Sequence, residues 1–337
     1  MNRKQKLLDG LNLPQLTGIE IGPLFRPVVS KSEGDVIYID HANTESIRKK
    51  YQTDPTVDIA SIVEIDAVWG TQTLLECLDG RRVDYVVASH VIEHVPDLIT
   101  WLEELRSVLK QNGELRLAVP DKRFTFDLIR RETELCDVLS AHIAHARIPQ
   151  PICILDHLLN VCRVDAKLAW DEPLDASSVE RHHRLVDAIP PARDAFQNGT
   201  YHDVHCWTFT PHSFAKLFED LARVGLLHFS CESFFDTERY EIEFFVILKA
   251  SDDQEHVARS WANMKNAVEA FVPREVAPNG EHVADALTSA ELRNATLSRE
   301  LEVAHLMIRD LKESTSWRLT EPIRSLVSAL RRMRLGA

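Results

Sequence analysis

Strand-like and helix-like runs alternate through the first 120 residues, and this alternation limits the chain to a small set of folds. It predicts an α/β architecture with a mostly parallel sheet covered on both faces, because consecutive parallel strands need helical crossovers. Asp97 to Lys110 has apolar residues at helical spacing, and Asn112-Gly113 is expected to end that helix. The predicted strands of this region are Thr17–Ile21, Asp35–Asp40, Ser61–Asp66, Val83–Ala88 and Glu114–Val119.

The strand pattern stops over residues 124–201, a stretch rich in histidine and arginine that is expected to be helical. We predict that it forms a substrate cap over the carboxyl edge of the sheet, where open α/β sheets bind ligands. Thr210-Pro211 then has the chemistry of a helix N-terminus. Leu226–Phe235 and Glu241–Leu248 are two further predicted strands, which complete a seven-stranded domain over residues 1–250.

The C-terminal quarter has a different pattern. Residues 251–282 are polar and are predicted to be a linker with one helix. From Val283 to Leu311 apolar residues recur at spacings of four and three, a heptad repeat in which Asn294 takes an a position. We therefore predict a coiled coil over 283–316 and a homodimer; the alternative is one amphipathic helix packed on the main domain.

Residues 317–337 are predicted to form a basic amphipathic tail, because arginines crowd around one apolar face. On a chain of net charge −13, such a tail indicates peripheral contact with an anionic membrane surface or with an acidic partner. A frayed basic tail is the alternative.

Composition excludes several classes of protein. The net charge of −13 argues against nucleic acid as a partner, since phosphate contacts need a basic surface. The six cysteines are scattered without a CxxC pair, as expected for reduced thiols rather than for a zinc site or a disulfide framework. No apolar run approaches the roughly 20 residues that span a bilayer, and the N-terminus lacks the apolar core of a signal peptide. We expect a cytoplasmic protein.

The stretch GIEIGPLFRP, residues 18–27, joins the first strand to a turn. Glu20 ends the strand, Gly22 follows, and Asp40 ends the second strand about twenty residues later. A glycine lets the backbone approach a ligand, and an acid at the second strand can accept hydrogen bonds from ribose hydroxyls. The spacing suits an adenosine-containing ligand.

A longer stretch predicts a strand, a polar turn, a helix and a second strand in direct succession. It reads DYVVASHVIEHVPDLITWLEELRSVLKQNGELRLAVPD. Here the chain resembles the class I S-adenosylmethionine-dependent methyltransferases of the small-molecule branch, over about residues 15–250. The resemblance implies a Rossmann-like fold and S-adenosyl-L-methionine as cofactor. It also implies that Glu93 and His94 belong to an element that is often structural. The cofactor-binding residues that it implies are Glu20, Gly22, Arg26, Asp40, His41, Asp66, Ala67, Val68, Ser89 and His90.

The first motif departs from the family pattern, acid-x-Gly-x-Gly-x-Gly. Leu24 and Arg26 stand where the second and third glycines are usual, between Pro23 and Pro27. We expect retained binding, with Arg26 reaching the cofactor carboxylate. The alternative is a catalytically silent scaffold that organises a glycosyltransferase complex through its coiled coil.

Methyl transfer to a hydroxyl needs positioning and a base. The predicted catalytic residues are His90, His205 and Asp121. Six residues could offer oxygen or nitrogen ligands to a divalent metal. Their spacings match no metal signature, so no metal is predicted. Those six are Asp156, His157, His182, His183, Asp203 and His205. Four cations were considered for a phosphate or an acidic sugar, namely Lys122, Arg123, Arg130 and Arg131.

A second, shorter resemblance concerns Ser314 to Arg324. This segment is similar to one found after coiled coils in bacterial surface-polysaccharide glycosyltransferases and their partner proteins. It implies a bacterial protein of polysaccharide biosynthesis at the inner face of the membrane, with a sugar or glycan acceptor and a glycosyltransferase partner. The expected reaction is O-methylation of a sugar in a surface polysaccharide or its precursor.

Overall fold

The computed structural model describes residues 1–171 and 179–270. The predicted coiled coil and basic tail lie outside these residues. The strands are β1 (Thr17–Ile21), β2 (Asp35–Asp40), β3 (Ala67–Val68), β4 (Val83–Ser89), β5 (Leu109–Pro120), β6 (Phe229–Phe235) and β7 (Glu243–Ala250). The helices are α1 (Arg3–Leu7), α2 (Thr44–Lys50), α3 (Leu74–Cys77), α4 (Leu98–Val108), α5 (Leu135–Ile143), α6 (Pro151–Asn160), α7 (Ala166–Asp171), α8 (Ile189–Asn198), α9 (Pro211–Arg223) and α10 (Gln254–Ala267).

The seven strands form one sheet in the order β3-β2-β1-β4-β5-β7-β6. The first five are parallel, and β7 and β6 join as an antiparallel pair at the edge. This confirms the predicted Rossmann-like, mostly parallel sheet. The strand order reverses between β1 and β4, and ligands bind at such a switch point, beyond the carboxyl ends of the strands.

Two local predictions are corrected. The third strand is Ala67–Val68 instead of Ser61–Asp66, because Val63 and Ile65 donate their amides to Leu24 and Thr44 outside the sheet. Helix α4 ends at Val108, whereas Asn112-Gly113 was expected to end it.

The Asn112 turn instead belongs to strand β5. Val83 pairs with Leu109 but Tyr85 pairs with Glu114, so the intervening residues of β5 bulge out of the ladder. Asn112 makes that turn with a φ of 69°, a left-handed conformation that asparagine tolerates.

Helices cover both faces of the sheet, since successive residues of each strand point to opposite sides. Ile19 and Val86 belong to one buried cluster, which also includes Trp261 of α10, while Tyr85 and Val87 belong to a second cluster with residues of α1. Glycine is needed at position 18 of β1, because a Cβ there would lie 2.0 Å from the Tyr85 ring of β4. The core therefore consists of two apolar layers that hold the strand ends in place.

The insertion is helical, as predicted, and α5 to α8 lie within it. A small core of its own, around Ile154 and Ala192, holds part of it together. Helix α10 lies in the predicted linker but is part of the main body, because its Trp261 is fully buried and donates a hydrogen bond to the Phe229 carbonyl. Among the described residues, no helix combines the length and apolar character that crossing a bilayer requires.

Candidate active site

The predicted cofactor turn after β1 is held together by Glu20. Its carboxylate is 2% exposed and accepts hydrogen bonds from the amides of Val28 at 2.7 Å and Val29 at 2.9 Å. Burial raises the pKa of Glu20 to about 7, against the opposing effect of those two amides. Glu20 therefore shapes the turn from beneath, since both of its oxygens are used by the turn itself.

The turn keeps its shape without the usual glycines. Gly22 has a φ of 66° and Leu24, at the second glycine position, has a φ of 46°. A left-handed leucine costs about 1–2 kcal/mol. The backbone at Leu24 is therefore strained. Arg26 is exposed, with its guanidinium 4.8 Å from the centre of the Phe25 ring. The predicted contact of Arg26 with the cofactor carboxylate stays a prediction.

Asp40 ends β2 beside the end of β3, with which it pairs at Val68. Its Oδ1 accepts from the His41 amide at 2.7 Å and lies 2.5 Å from His41 Nδ1. In the part of the chain that the structure describes, Oδ2 has no hydrogen-bond partner. Asp40, Ala67 and Val68 thus meet at the carboxyl edge, where a ribose and an adenine ring would be expected.

Asp66 contacts groups of β2 and of the segment before it, and its predicted position beside adenine stays a prediction. Its Oδ2 accepts from the Tyr38 amide at 2.8 Å, and its Oδ1 lies 2.5 Å from Lys31 Nζ. Asp66 precedes β3, so its partners come from the middle of β2 and from the segment before it. The carboxylate therefore ties β2 to β3 at a distance from the carboxyl edge.

His90 follows β4 at the switch point, with a left-handed φ of 53°. Its Nε2 lies 2.7 Å from Glu243 Oε2 on β7, and its Nδ1 lies 3.7 Å from Glu93 Oε1. Although burial favours the neutral ring, Glu243 and Glu93 raise the pKa of His90 above its ordinary value. A histidine held between two acids at a strand end suits proton transfer near neutral pH.

Helix α1 brings Arg3 to the same edge. Arg3 Nε donates to Glu243 Oε1 at 2.7 Å, and its Nη2 hydrogen-bonds Ser89 at the end of β4. The guanidinium therefore connects Ser89, a predicted cofactor residue, to the acid that holds His90.

A cavity of about 510 Å³ opens beside His90, between the sheet edge and the insertion. This volume lies within the range of pockets that bind small molecules. Its wall combines histidines and Arg163 with aromatic and aliphatic side chains, chiefly Phe124, Phe126 and Ile242. The insertion forms much of that wall, and its role as a substrate cap stays a prediction.

His205 lies on the insertion side of this cavity and is 7% exposed. Its Nδ1 lies 2.6 Å from Asp127 Oδ2, and Asp127 Oδ1 accepts from Arg130 Nη1 at 2.8 Å. Burial opposes ionisation of Asp127, but His205 and Arg130 lower its pKa to about 2. The carboxylate fixes the imidazole so that Nε2 is the nitrogen left for another partner.

The turn after β4 carries Glu93 and His94 to the same cavity. The Glu93 carbonyl accepts from the amides of Cys206 at 2.6 Å and Trp207 at 3.2 Å. The backbone of this turn therefore holds the segment after His205, which fixes His205 opposite His94, with ring centroids 4.6 Å apart.

Asp121, a predicted catalytic residue, is held in the structure by donors from its own neighbourhood. It is fully buried, accepts hydrogen bonds from the Arg123 amide and guanidinium, and accepts one from Thr237 Oγ1 at 2.7 Å. It also caps the 3-10 turn Lys122–Phe124. These donors occupy the carboxylate and leave it without an opening to the cavity.

The four cations that could meet a phosphate or an acidic sugar also have internal partners. Arg123 pairs with Asp121, and Arg130 pairs with Asp127 and Asp156. Arg131 pairs with Asp137. Lys122 is buried and donates to the Leu128 carbonyl at 2.8 Å. These cations therefore stabilise the protein's own acids.

The six residues weighed for a metal are separated by the fold. Asp156 accepts from Arg130 Nε at 2.8 Å, while His182 and His183 are exposed. His157 accepts from the His205 amide at 3.2 Å, and burial together with Arg130 and His205 lowers its pKa to about 3. Asp203 and His205 of that set contact His94 directly, through an ion pair and an edge-on ring contact.

Sequence reasoning missed several residues of this edge. Glu243 begins β7, and an acid at the start of a strand antiparallel to β5 was a signal that could have placed it beside the carboxyl ends. Asp127 and Arg3 had no such signal, because only the packing of the insertion and of α1 brings them here.

The fold and this edge define a Rossmann-like enzyme with an adenosine-type cofactor turn. A family model described as a methyltransferase domain matches residues 17–221. The chain belongs to this methyltransferase family and is an S-adenosylmethionine-dependent methyltransferase, as the sequence predicted. No curated protein matches it in sequence.

Solved structures also match. Magnesium protoporphyrin IX methyltransferase of Synechocystis PCC 6803, with bound SAH, is 15% identical, with 71% of this chain and 76% of that chain covered and a TM-score of 0.30. The CcbJ methyltransferase of Streptomyces caelestis is 14% identical, with 36% and 53% covered and a TM-score of 0.27. Similarity at this level says nothing about the acceptor.

Proposed function

We propose that this enzyme transfers a methyl group to a hydroxyl of a sugar in a bacterial surface polysaccharide or its precursor. The observation that carries the proposal is His90, which stands at the end of β4, is held by Glu243, and opens on a cavity of about 510 Å³. A histidine base in a cavity of small-molecule size suits a hydroxyl acceptor, which must lose a proton as it is methylated.

The residues at the switch point fit the cofactor. Asp40 Oδ2, which has no partner in the described chain, is an acceptor for ribose hydroxyls, and the left-handed Gly22 gives close backbone access. Ala67 and Val68 would line the adenine side, and Ser89 the side nearer the acceptor. S-adenosylmethionine, when bound, supplies an electrophilic methyl group.

His90 would take the proton of the acceptor hydroxyl. Glu243 holds Nε2, so Nδ1 is the nitrogen that accepts a proton. The neighbouring acids favour the charged ring that results. Arg3 orients Glu243 from the other side and so fixes the His90 ring indirectly.

The acceptor class is supported by the cavity wall and by the C-terminal sequence. Phe124 and Phe126 offer flat apolar surface beside polar groups, a combination that suits a sugar ring. The segment Ser314 to Arg324 is similar to one in polysaccharide glycosyltransferases.

A glycosyltransferase partner, a site at the inner membrane face and a homodimer through residues 283–311 belong to the same proposal. Light scattering of the full-length chain at micromolar concentration tests the dimer, which a monomer would contradict.

The enzymatic test has two stages. Calorimetric titration should give one equivalent of S-adenosylmethionine and of S-adenosylhomocysteine with micromolar affinity. Methyl-labelled cofactor is then incubated with nucleotide-activated sugars and with lipid-linked oligosaccharides, and methylated products are identified by mass. Label transfer to a sugar hydroxyl supports the proposal. Cofactor binding with transfer only to non-sugar acceptors would contradict the acceptor class, and no cofactor binding by the folded protein would favour the silent scaffold.

A further inference from the structure

Three potential metal ligands converge at the cavity, and the resemblance to methyltransferases assigned none of them to a metal. One ligand atom each from Glu93, His94 and His205 lies within 4.8 Å of the other two. Ligands about 2.1 Å from a tetrahedral ion lie about 3.4 Å apart. The longest separation would therefore shorten by up to about 1.4 Å on metal binding, a movement that side-chain rotation can supply.

The second observation is the state of the Glu93 carboxylate. Glu93 is 1% exposed, and within the described ranges neither of its oxygens has a hydrogen-bond partner. A buried carboxylate that accepts no hydrogen bond is costly. Its neighbour His90 Nδ1 is 3.7 Å away, beyond hydrogen-bond distance. A cation bound by Glu93 would remove this cost.

The third observation is the support behind the two histidines. Asp203 Oδ1 lies 2.9 Å from His94 Nδ1, and Asp127 Oδ2 lies 2.6 Å from His205 Nδ1. A histidine that binds a metal usually has its other ring nitrogen held by a carboxylate or a carbonyl. In residues 1–171 and 179–270, the structure gives no hydrogen-bond partner to Nε2 of either ring, so both are available as ligands.

We propose that Glu93, His94 and His205 bind one divalent transition-metal ion, with Asp203 and Asp127 as orienting acids. Two imidazoles and one carboxylate suit Zn²⁺, Mn²⁺, Fe²⁺ or Co²⁺ better than Mg²⁺ or Ca²⁺, which prefer oxygen ligands. Three protein ligands leave positions open to the cavity, where an acceptor hydroxyl can coordinate and lose its proton more readily. This role rests on the proposed function, whereas metal binding itself does not.

The test begins with the full-length protein, freed of metal by a chelator and dialysed. Titration with Co²⁺ should give one equivalent with micromolar affinity and visible absorption bands of a low-symmetry nitrogen and oxygen site. Zn²⁺ should displace it, and Mg²⁺ should not. Glu93→Gln and His205→Gln should each weaken Co²⁺ binding at least about 100-fold, and Asp203→Asn about 10–100-fold. His182→Gln, in the wall of the same cavity but outside the cluster, should bind as the wild type does.

Thermal unfolding keeps the test decisive if a variant folds poorly. Without metal, Glu93→Gln should unfold at the wild-type temperature or above it, because a neutral amide replaces a buried carboxylate that accepts no hydrogen bond. Zinc should raise the wild-type unfolding temperature by several degrees and leave that of Glu93→Gln unchanged. Wild-type protein that binds no Co²⁺, or Glu93→Gln that binds it equally well, would overturn the proposal. Loss of S-adenosylmethionine binding alone would contradict the proposed function and leave the metal site standing.

Discussion

The cofactor side and the acceptor side of this active site are built in different ways. In the cofactor turn after β1, polar groups bond to residues nearby in the chain, as Glu20 does to an amide 8 positions away. On the acceptor side, His90 meets an acid 153 positions away and His205 one 78 positions away. Local chain geometry shapes the first region, and long-range packing assembles the second. Variants on the two sides should therefore affect different quantities, namely cofactor affinity or turn stability on one and turnover on the other.

The largest expected effect is on the acceptor side. His90→Ala should lower kcat about 10²–10⁴-fold, the usual contribution of a general base, while calorimetry shows S-adenosylmethionine affinity within a few-fold of the wild type. The matched control is His202→Ala, because His202 also pairs with an acid, Asp194 at 3.0 Å, but lies outside the cavity wall. An equal loss of turnover in both variants would remove His90 from its proposed role.

On the cofactor side, Asp40→Ala should weaken S-adenosylmethionine binding about 10–100-fold, because removal of a charged hydrogen-bond acceptor costs about 1.5–3 kcal/mol. Circular dichroism should show an intact fold. Asp66→Ala is the informative comparison, since the Asp66 carboxylate accepts hydrogen bonds from Lys31 Nζ and the Tyr38 amide. We expect it to lower stability more than affinity; unchanged cofactor affinity in Asp40→Ala would refute the ribose site.

The Glu20 carboxylate should make stability depend on pH. Its pKa is raised from about 4.5 to about 7 on folding, so between these values the folded state binds the extra proton. The stability from this group is present at low pH and is lost as pH rises from about 4.5 to about 7, by up to about 3 kcal/mol. Urea unfolding of the wild type and of Glu20→Gln across this window measures the difference. A constant difference would show that the two amides keep Glu20 ionised.

The smallest expected effect concerns the strained turn. Leu24→Gly should raise the free energy of unfolding by up to about 1 kcal/mol, because glycine adopts the φ of 46° without steric cost, although its flexible unfolded state offsets part of the gain. Urea unfolding measures the change, and Leu24→Ala, which keeps a Cβ, is the control. A loss of stability in Leu24→Gly larger than in Leu24→Ala would show that leucine packing, and not strain, dominates there.

The alternation of apolar runs determined the fold, because period-two strands and a period-3.6 helix leave few ways to bury a core. The sequence also placed Asp40, Ala67, Val68 and His90 at one sheet edge, since parallel strands end together. It misplaced the third strand, because the segment before β3 donates its amides outside the sheet.

Only the tertiary structure decided the chemistry of the acceptor side. The sequence offered Asp121 and His205 alike as catalytic residues. In the structure, hydrogen-bond donors surround Asp121, whereas His205 contacts Asp127 and lies beside the cavity. The Glu93 carbonyl holds the segment after His205, while its buried carboxylate has no hydrogen-bond partner among the described residues. A side chain's residue type is local, but its protonation, partners and access depend on groups that the fold brings from far along the chain.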